Sequence, residues 1–498
     1  MGTQSALFGP AKLGAMPEML PPRDLSAANG VMGLVTILAT VVGTGLGSVL
    51  FVSTADSTVF RIAACGGALI GVAVVGWLTS LLIAPAAAAA PQRAFPKNLL
   101  RSAWSDLVFL ARYPGLFRVA LGTAFFWSVA SLAQLNVDAL VVEEFGKPQT
   151  SVATALAVLA IGVGAGSVLA GYLSGGKVEL GLVPLGAAGV ALFAMLLNFL
   201  SQGYLVWLFL LGASGGAFSV PLAAYMQDRS PSESRGAILA AGNFLSFAGM
   251  LAVSGVFYVL HGTLALDATD IFLATGVATL PVLLYVLVLL PWATTRLSVW
   301  LLAHTIYRLR VENREALPQL GAAIIVANHV TWLDGLFLLI SSSRSLRLVV
   351  DRTHLGNACW RLLGRIVRVI PAKSPVETDV AARRAVVEAL RAGQVVCIFA
   401  EGTITRTGEL QPFAHDATQL AREANVPIVP AYLDELWGSL FSYEGGRVLW
   451  KWPRRWPYRV TIRFGELLPA AASLEEIRAA LVALGPTTRA SLASEPVE

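Results

Sequence analysis

Eight apolar runs, each long enough to cross a bilayer, constrain this chain more than any other feature. A membrane-spanning helix needs about 20 mostly apolar residues. Runs of this kind occupy residues 31–52, 62–90, 118–140, 151–174, 181–200, 204–225, 237–261 and 270–293. Only 13% of the 498 residues are charged, and the mean hydropathy is +0.68. The sequence therefore predicts a multi-pass membrane protein that begins with an all-α bundle of about eight spans.

The distribution of charge predicts a domain boundary near Arg296. Residues 1–295 carry 12 basic and 12 acidic residues, whereas residues 296–498 carry 24 and 19, so the whole net charge of +5 lies in the second part. We expect a membrane domain at 1–295, an interfacial amphipathic linker at 296–313 and a globular domain at 314–490. The linker offers side chains that suit a lipid surface: Trp300, Tyr307, Arg308 and Arg310.

The loops between the spans predict the orientation. One side collects most of the basic residues: Lys12, Arg23, Arg93, Lys97, Arg101, Arg112, Arg118, Lys177, Arg229 and Arg235. Only Arg61 and Lys147 fall on the other side. The positive-inside rule makes the crowded side cytoplasmic. Because eight spans return the chain to the side where it started, the globular domain is expected in the cytoplasm as well.

An internal repeat gives the membrane part a family resemblance. Residues 8–30, FGPAKLGAMPEMLPPRDLSAANG, match residues 218–243, FSVPLAAYMQDRSPSESRGAILAAGN, in the order of Phe, Pro and a final Ala-Ala-Asn/Gly element. Three spans lie between the long basic loop and the second copy, and none precedes the first. The region resembles the major facilitator superfamily, and within it the bacterial lysophospholipid transporters, as a partial version without three helices.

The second part predicts an α/β domain with a polar pair at the end of a strand. Strand-like and helix-like segments alternate from GAAIIVAN to YRVTIRFGE, which predicts active residues at strand ends. In IVANHVTWLDG, His329 and Asp334 follow the first strand at a spacing of five. A capping contact at a helix start is the structural alternative for this pair. CIFAEGTITRTGEL then places Glu401, Gly402 and Thr403 directly after another apolar strand.

Four elements in order, NHVTWLD, GRIVRVIPAKSP, FAEGT and VPIVP, resemble the phospholipid/glycerol acyltransferase family over about residues 310–470. The stretch from YLDELWGSL to FGELLP is similar to the acyltransferase part of the bifunctional enzyme that reacylates 2-acylglycerophosphoethanolamine and also makes acyl-acyl-carrier protein. The resemblance implies His329 as the base that removes the proton of the acceptor hydroxyl, and Asp334 as the carboxylate that orients it. No acyl-enzyme is expected.

The same resemblance implies that Glu401, Gly402 and Thr403 position the glycerol-phosphate part of the acceptor. This chain departs from the family pattern at two places, with Ala400 where Pro is common and Ile404 where many members have Arg. The cation that meets the phosphate is therefore expected among three basic residues, which the sequence does not rank: Arg406, Arg368 and Lys373.

Together these features predict an O-acyltransferase of the bacterial inner membrane that takes an acyl chain from acyl-acyl-carrier protein or coenzyme A and transfers it to a lysophospholipid. The expected partners are membrane lipids, the lysophospholipid and the donor, with no nucleic acid, no cofactor and no metal. Two alternatives stay open. One is a 1-acylglycerol-3-phosphate acyltransferase that makes phosphatidic acid, and the other is a lysophospholipid transporter with a non-catalytic cytoplasmic domain.

One further stretch, VLWKWPRRWPYR at 448–459, interleaves tryptophans with basic residues. Beside a lipid-metabolising motif, this pattern favours contact with anionic headgroups or with an acidic carrier protein over contact with nucleic acid. A solvated loop is the plain alternative.

Overall fold

The computed structural model describes residues 2–53, 58–83, 98–200, 202–318, 320–342, 344, 346–373, 375–446 and 457–486. The chain divides into two compact units, Met1–Thr294 and Thr295–Glu498. The first unit contains only helices among its described residues, and the second contains a sheet with helices. This confirms the fold class expected from the sequence.

The described part of the first unit contains ten α-helices: α1 (Gly2–Met19), α2 (Leu25–Ser53), α3 (Thr58–Ser80), α4 (Leu99–Ala111), α5 (Pro114–Ala139), α6 (Thr150–Leu173), α7 (Leu182–Phe199), α8 (Tyr204–Arg229), α9 (Arg235–Phe257) and α10 (Ala268–Leu289). Within the described residues, eight of these helices are long and apolar enough to span a membrane. They coincide with the eight predicted runs, which are confirmed. Residues 84–90 of the second run, together with Arg93 and Lys97, lie outside the described residues.

Glycine allows two of the spans to pack backbone to backbone. A Cβ atom added to Gly166 on α6 would collide with the carbonyl oxygen of Ala213 on α8, and one added to Gly212 would collide with that of Leu159. Such close approach is what association in lipid requires, because the solvent is as apolar as the helices and supplies no hydrophobic driving force. The glycine-rich run AIGVGAGSVLAGYLSGG thus serves helix packing, as its composition predicts.

The internal repeat corresponds to two helix–turn–helix units. Residues 8–30 cover the end of α1, its turn and the start of α2, while residues 218–243 cover the end of α8, its turn and the start of α9. These two helix–turn–helix segments contact each other through a buried pair of side-chain amides. The side-chain amide of Asn29 donates to Oε1 of Gln227 at 2.7 Å, and Nε2 of Gln227 donates back to Oδ1 of Asn29 at 3.2 Å. Both residues are under 10% exposed.

Other polar residues in the spans also connect helices. Asn136 on α5 donates to the carbonyl oxygen of Ala268 at the start of α10, at 2.7 Å, and Asn198 on α7 donates to Oδ1 of Asp270 at 3.0 Å. A polar group that lies in hydrocarbon without a hydrogen-bond partner costs about several kcal/mol of free energy. These amides therefore act as links between neighbouring spans.

The second unit is built on a seven-stranded sheet with the order β1-β7-β6-β2-β5-β3-β4. Its strands are β1 (Tyr307–Glu312), β2 (Ala323–Ala327), β3 (Leu346–Asp351), β4 (Ile370–Ala372), β5 (Val395–Phe399), β6 (Ile428–Asp434) and β7 (Tyr458–Phe464). All neighbours run parallel except β6 and β7. The strands β2, β5 and β6 therefore end at one edge, where their following loops meet.

Helices complete the unit: α11 (Pro291–Thr305), α12 (Asp334–Ser341), α13 (Ala358–Val367), α14 (Val380–Arg391), α15 (Ala417–Ala424) and α16 (Leu474–Leu484). The main core joins alternate residues of the central strands, such as Ile324, Val326 and Ile398, to the apolar faces of α14, α15 and α16. Strands β2 and β5 are buried along their whole length. Continuous burial is typical of parallel strands covered on both faces.

The sheet corrects the linker predicted at 296–313. Helix α11 ends at Thr305, and Tyr307–Glu312 form strand β1, which pairs in parallel with β7. Tyr307, expected at the lipid interface, is 0% exposed and makes an edge contact with the ring of Phe337. Along Tyr307–Arg310, less exposed positions alternate with exposed ones, as in a strand with one covered face. The α/β fold therefore begins before residue 314.

Candidate active site

The loops that follow β2 and β5 form the site, and buried side chains fix their course. Asn328, the first residue after β2, donates to the carbonyl oxygen of Leu433 on β6 at 3.0 Å and accepts from the amide of Leu433 at 2.7 Å. The amide of Thr405 donates to the carbonyl oxygen of His329 at 2.8 Å. The loop after β2 is thus held by β6 and by the loop after β5, which fixes the backbone that carries His329.

His329 and Asp334 form a hydrogen-bonded pair. The imidazole Nδ1 lies 2.9 Å from Oδ2 of Asp334, and the Asp334 side chain is 0% exposed. Three further donors meet this carboxylate: the amide of Val330 at 2.5 Å, the amide of Thr331 at 2.8 Å and the hydroxyl of Thr331 at 2.5 Å. Hydrogen bonds to the charged form stabilise it in a dry environment. The pair and the turn at the start of α12 are thus one structure, so Asp334 both shapes the turn and contacts the ring.

The geometry leaves one nitrogen of His329 for chemistry. A carboxylate can only accept, so the hydrogen between the two groups belongs to Nδ1, and Nε2 of the neutral ring carries the lone pair. The ring also stacks on Phe399 at the end of β5, with centroids 4.0 Å apart and planes 14° apart. Its side chain is 19% exposed. A base with a fixed orientation and a free nitrogen is what proton removal requires.

Glu401 is buried away from the cavity, in contrast to the expected contact with an acceptor. It is 3% exposed, its Oε1 accepts from the amide of His329 at 2.8 Å, and its Oε2 accepts from the amide of Gln411 at 2.9 Å. Burial raises the pKa of this carboxyl, against the effect of the two amide donors. Glu401 therefore ties the loop after β5 to the loop after β2.

A cavity opens beside the pair. Its polar lining comes from His329, Asp351, His354, Lys373, Thr403 and His415. The rest is largely apolar and includes residues of β3 and α13, such as Leu348 and Val367. Gly402 and Thr403, two of the expected acceptor-binding residues, do lie on the cavity. Gly402 has φ +68°, a left-handed conformation that favours glycine and turns the chain sharply after β5.

The three candidate cations differ in whether they line the cavity. Lys373, which follows β4, lines the cavity, and among the described residues no carboxylate pairs with its ammonium. Arg406 is exposed and lies 5.7 Å over the ring of Tyr443, off the cavity. Arg368 is also exposed and off the cavity, and it takes the left-handed conformation that ends α13. Lys373 is exposed as well, but of the three it is the one that lines the cavity.

Sequence reasoning missed several residues of the site. Asn328 stands in the quoted motif, but its link to β6 depends on the strand order. His354 and His415 belong to none of the four sequence elements, yet both line the cavity. Residues 447–456, which hold most of the expected tryptophan-rich surface, lie outside the described residues. Among the described residues, no group of three or more His, Cys, Asp or Glu could hold a metal ion.

Comparison with protein families assigns both units. Residues 1–254 match the model of the Major Facilitator Superfamily, which is more than half of the chain. The chain belongs to the Major Facilitator Superfamily. Residues 308–434 match the model of the Acyltransferase family and contain the His329 and Asp334 pair and the loop after β5. A facilitator-type membrane region is thus fused to an acyltransferase domain, and the combination predicted from the motifs is confirmed.

Curated relatives match about half of the chain. The chain is 30% identical over 265 residues to the lysophospholipid transporter LplT of Shigella boydii serotype 4 and to that of Escherichia coli strain K12 / DH10B, and 29% identical to that of Citrobacter koseri. Each match covers 52% of this chain and 64% of the relative. The chain thus spans just under two thirds of the length of these relatives.

Among solved structures, the chain is similar to the 1-acyl-sn-glycerophosphate acyltransferase PlsC of Thermotoga maritima. The similarity has a TM-score of 0.32 and 18% sequence identity, and it covers 41% of this chain and 82% of that one.

Proposed function

We propose that this chain is a membrane-bound O-acyltransferase that transfers an acyl chain from an acyl-acyl-carrier protein or acyl-coenzyme A thioester to the free hydroxyl of a lysophospholipid, as in reacylation of 2-acylglycerophosphoethanolamine. The observation that carries the proposal is the fixed His329 and Asp334 pair, whose His329 lines a largely apolar cavity in an acyltransferase domain. The lysophospholipid transporters similar to this chain support the choice of acceptor.

In the proposed reaction, Nε2 of His329 takes the proton of the acceptor hydroxyl while the hydroxyl oxygen attacks the thioester carbonyl. The tetrahedral intermediate collapses by breaking the carbon–sulfur bond, and the imidazolium returns the proton to the leaving thiolate. Asp334 stabilises the imidazolium through Nδ1. The buried thiol of Cys397 is a poor candidate for a covalent intermediate, because it is 0% exposed and burial raises its pKa.

The membrane region would anchor the enzyme in the bilayer that contains its lipid acceptor, with the acyltransferase domain on the cytoplasmic side of a bacterial inner membrane. Transport of lysophospholipid is a second candidate function, favoured by the match to the transporters over 265 residues. It predicts uptake of lysophospholipid into vesicles that survives His329→Ala, whereas the acyltransferase proposal predicts that the variant loses product formation. The two functions are therefore separable in one variant.

The experiment that tests the proposal supplies membranes containing the chain with a labelled acyl thioester and one acceptor. Lysophosphatidylethanolamine and lysophosphatidic acid are compared, and each donor is tried with each acceptor. We expect labelled diacyl product with lysophosphatidylethanolamine and at least a 100-fold loss in His329→Ala, since a positioned base contributes about 10²–10⁴. A clear preference for lysophosphatidic acid would instead assign the chain to synthesis of phosphatidic acid.

A further inference from the structure

A second imidazole lines the same cavity as His329, and the acyl-transfer step does not use it. His415 lies between β5 and α15, and its side chain is 9% exposed. The amides of Ala414 and His415 both donate to the carbonyl oxygen of Ala400, at 2.8 and 3.1 Å. The loop is thereby attached to the end of β5, so the sheet sets the position of this ring.

Hydrogen bonding determines which nitrogen of His415 is a donor. The amide of Val376 donates to Nδ1 at 3.1 Å, so Nδ1 supplies a lone pair and the hydrogen of the neutral ring is on Nε2. Burial lowers the pKa of His415, against the effect of Glu377 and Asp351. Among the described residues no protein group accepts a hydrogen bond from Nε2. A neutral imidazole on the cavity therefore keeps one N–H for a ligand.

The charges around His415 limit what that ligand can be. Oε1 of Glu377 accepts from the amide of Asp416 at 3.2 Å, while its Oε2 is buried without a hydrogen bond and lies 4.0 Å from Nδ1 of His415. Asp351, Lys373 and the imidazole of His354 line the cavity, and Glu377 lies beside the His415 ring without lining it. Two carboxylates near one ammonium suit an oxygen group that carries one negative charge, because a second negative charge would be repelled.

We propose that the Nε2–H of His415 and the ammonium of Lys373 together bind the phosphate of the acyl acceptor, and that this site prefers a phosphodiester to a phosphomonoester. The inference rests on the proposed function, whose acceptor it specifies. His415 binds the acceptor and takes no part in proton transfer. A lysophospholipid with a headgroup has a phosphodiester with one negative charge, whereas lysophosphatidic acid has a monoester that approaches two.

Two substitutions separate binding from a structural role of His415. In His415→Asn, Oδ1 can replace Nδ1 as acceptor for Val376, but nothing replaces Nε2–H. In His415→Gln, the side-chain amide can reach the position of Nε2 and donate there, but the acceptor for Val376 is lost. We expect His415→Asn to raise KM for lysophosphatidylethanolamine about tenfold or more with kcat little changed, as loss of a hydrogen bond to a charged group predicts. His415→Gln should retain most of the affinity even where it lowers thermal stability.

Several outcomes would overturn the assignment. An unchanged KM in folded His415→Asn would make the residue structural, as would a loss of affinity in His415→Gln alone. A fall in kcat at constant KM would place Nε2–H on the reacting carbonyl and not on the phosphate.

Charge removal tests the preference for a diester. Glu377→Gln keeps an oxygen for the amide of Asp416 and removes one carboxylate from the site. It should raise kcat/KM for lysophosphatidic acid relative to lysophosphatidylethanolamine, and an unchanged ratio would contradict the electrostatic argument. Lys373→Met should weaken both acceptors, whereas Lys373→Arg should retain binding.

A binding measurement keeps this test independent of turnover. Titration of lysophosphatidylethanolamine into the detergent-solubilised full chain, in the His329→Ala background with and without His415→Asn, measures binding without turnover, and the difference between the two variants isolates the contribution of His415. Weaker binding in the double variant supports the site even if no acyl transfer is found, and that result would count against the proposed function only. Equal binding in the two variants would overturn the role of His415 even if His329 proves to be the base.

Discussion

Each unit of the molecule contains a buried cluster of polar side chains. The two clusters differ in whether a polar atom remains that makes no hydrogen bond within the cluster. In the membrane unit, Asn29 and Gln227 exchange two hydrogen bonds, and Asn29 also donates to the carbonyl oxygen of Leu25 at 2.8 Å. In the acyltransferase unit, Asp334 fixes Nδ1 of His329 and leaves Nε2 beside a cavity. The two amides satisfy each other, whereas the imidazole presents a second ring nitrogen, Nε2, that Asp334 does not contact.

This difference distinguishes buried polar groups that only stabilise the fold from those that are available to a ligand. Buried polar groups must be paired in either environment, so burial and hydrogen bonding alone do not indicate an active site. A site needs an atom that the protein orients and does not use, next to space for a ligand. Nε2 of His329 meets this condition. The side-chain NH2 groups of Asn136 and Asn198 instead donate to neighbouring helices, and among the described residues Oδ1 of Asn136 is buried without a hydrogen bond.

The largest effect short of removing the base is expected for Asp334→Asn. The new amide nitrogen would face N–H and O–H donors, and the oxygen could no longer hold the imidazolium. We expect kcat to fall by at least about 100-fold, with a lower melting temperature as well. Asp434→Asn, at the end of β6, is the control and should leave kcat unchanged. Near-normal turnover in folded Asp334→Asn would reduce this carboxylate to a structural cap.

Glu401→Gln should have a smaller effect on a different parameter. One of its two backbone donors would face an amide nitrogen, which costs about 1–3 kcal/mol of unfolding free energy. Because Glu401 supports the backbone of His329 and does not line the cavity, kcat should fall while KM for the acceptor stays unchanged. The exposed Glu409→Gln, in the same loop, serves as the control. A large rise in KM would instead return Glu401 to the acceptor site.

The amide pair of the membrane unit should respond only in stability. Asn29→Leu strands the amide of Gln227, which costs about 1–3 kcal/mol, whereas the double substitution Asn29→Leu with Gln227→Leu removes both polar groups and should recover most of this loss. Melting of the solubilised chain measures the difference. A double variant that is no better than the single one would show that the amides contribute more than mutual satisfaction.

The smallest effect concerns the pH dependence of stability at His415. Burial lowers its pKa below the ordinary value of 6.5, so on acidification the unfolded chain binds the proton before the folded one. The contribution of the neutral His415 ring to the free energy of unfolding is fully present above pH 6.5. It is lost as the pH falls toward the pKa of this ring in the folded state. Melting temperatures from about pH 8 to about pH 5 should decline less steeply in His415→Gln than in the parent chain. Equal slopes would refute this linkage.

Local patterns determined how much of this molecule could be predicted. The eight spans and most strands of the sheet follow from apolar runs. A helix that crosses a membrane needs a long apolar run, and a buried parallel strand needs a short one without polar interruptions. Strand β1 was missed since aromatic and arginine residues in YRLRVE suit an interfacial helix as well as a strand. The inward turn of Glu401 and the place of His415 depend on which loops meet at the edge of the sheet. The spacing of residues along the sequence does not predict which loops come together.

One pair of variants tests the central claim most directly. Membranes with the parent chain, with His329→Ala, or with Asn29→Leu and Gln227→Leu together receive a labelled acyl thioester and lysophosphatidylethanolamine, and the labelled diacyl product is measured. We predict that product is lost only in His329→Ala, because only that cluster leaves an atom for chemistry. Full product in His329→Ala, or its loss in a folded amide double variant, would contradict the account.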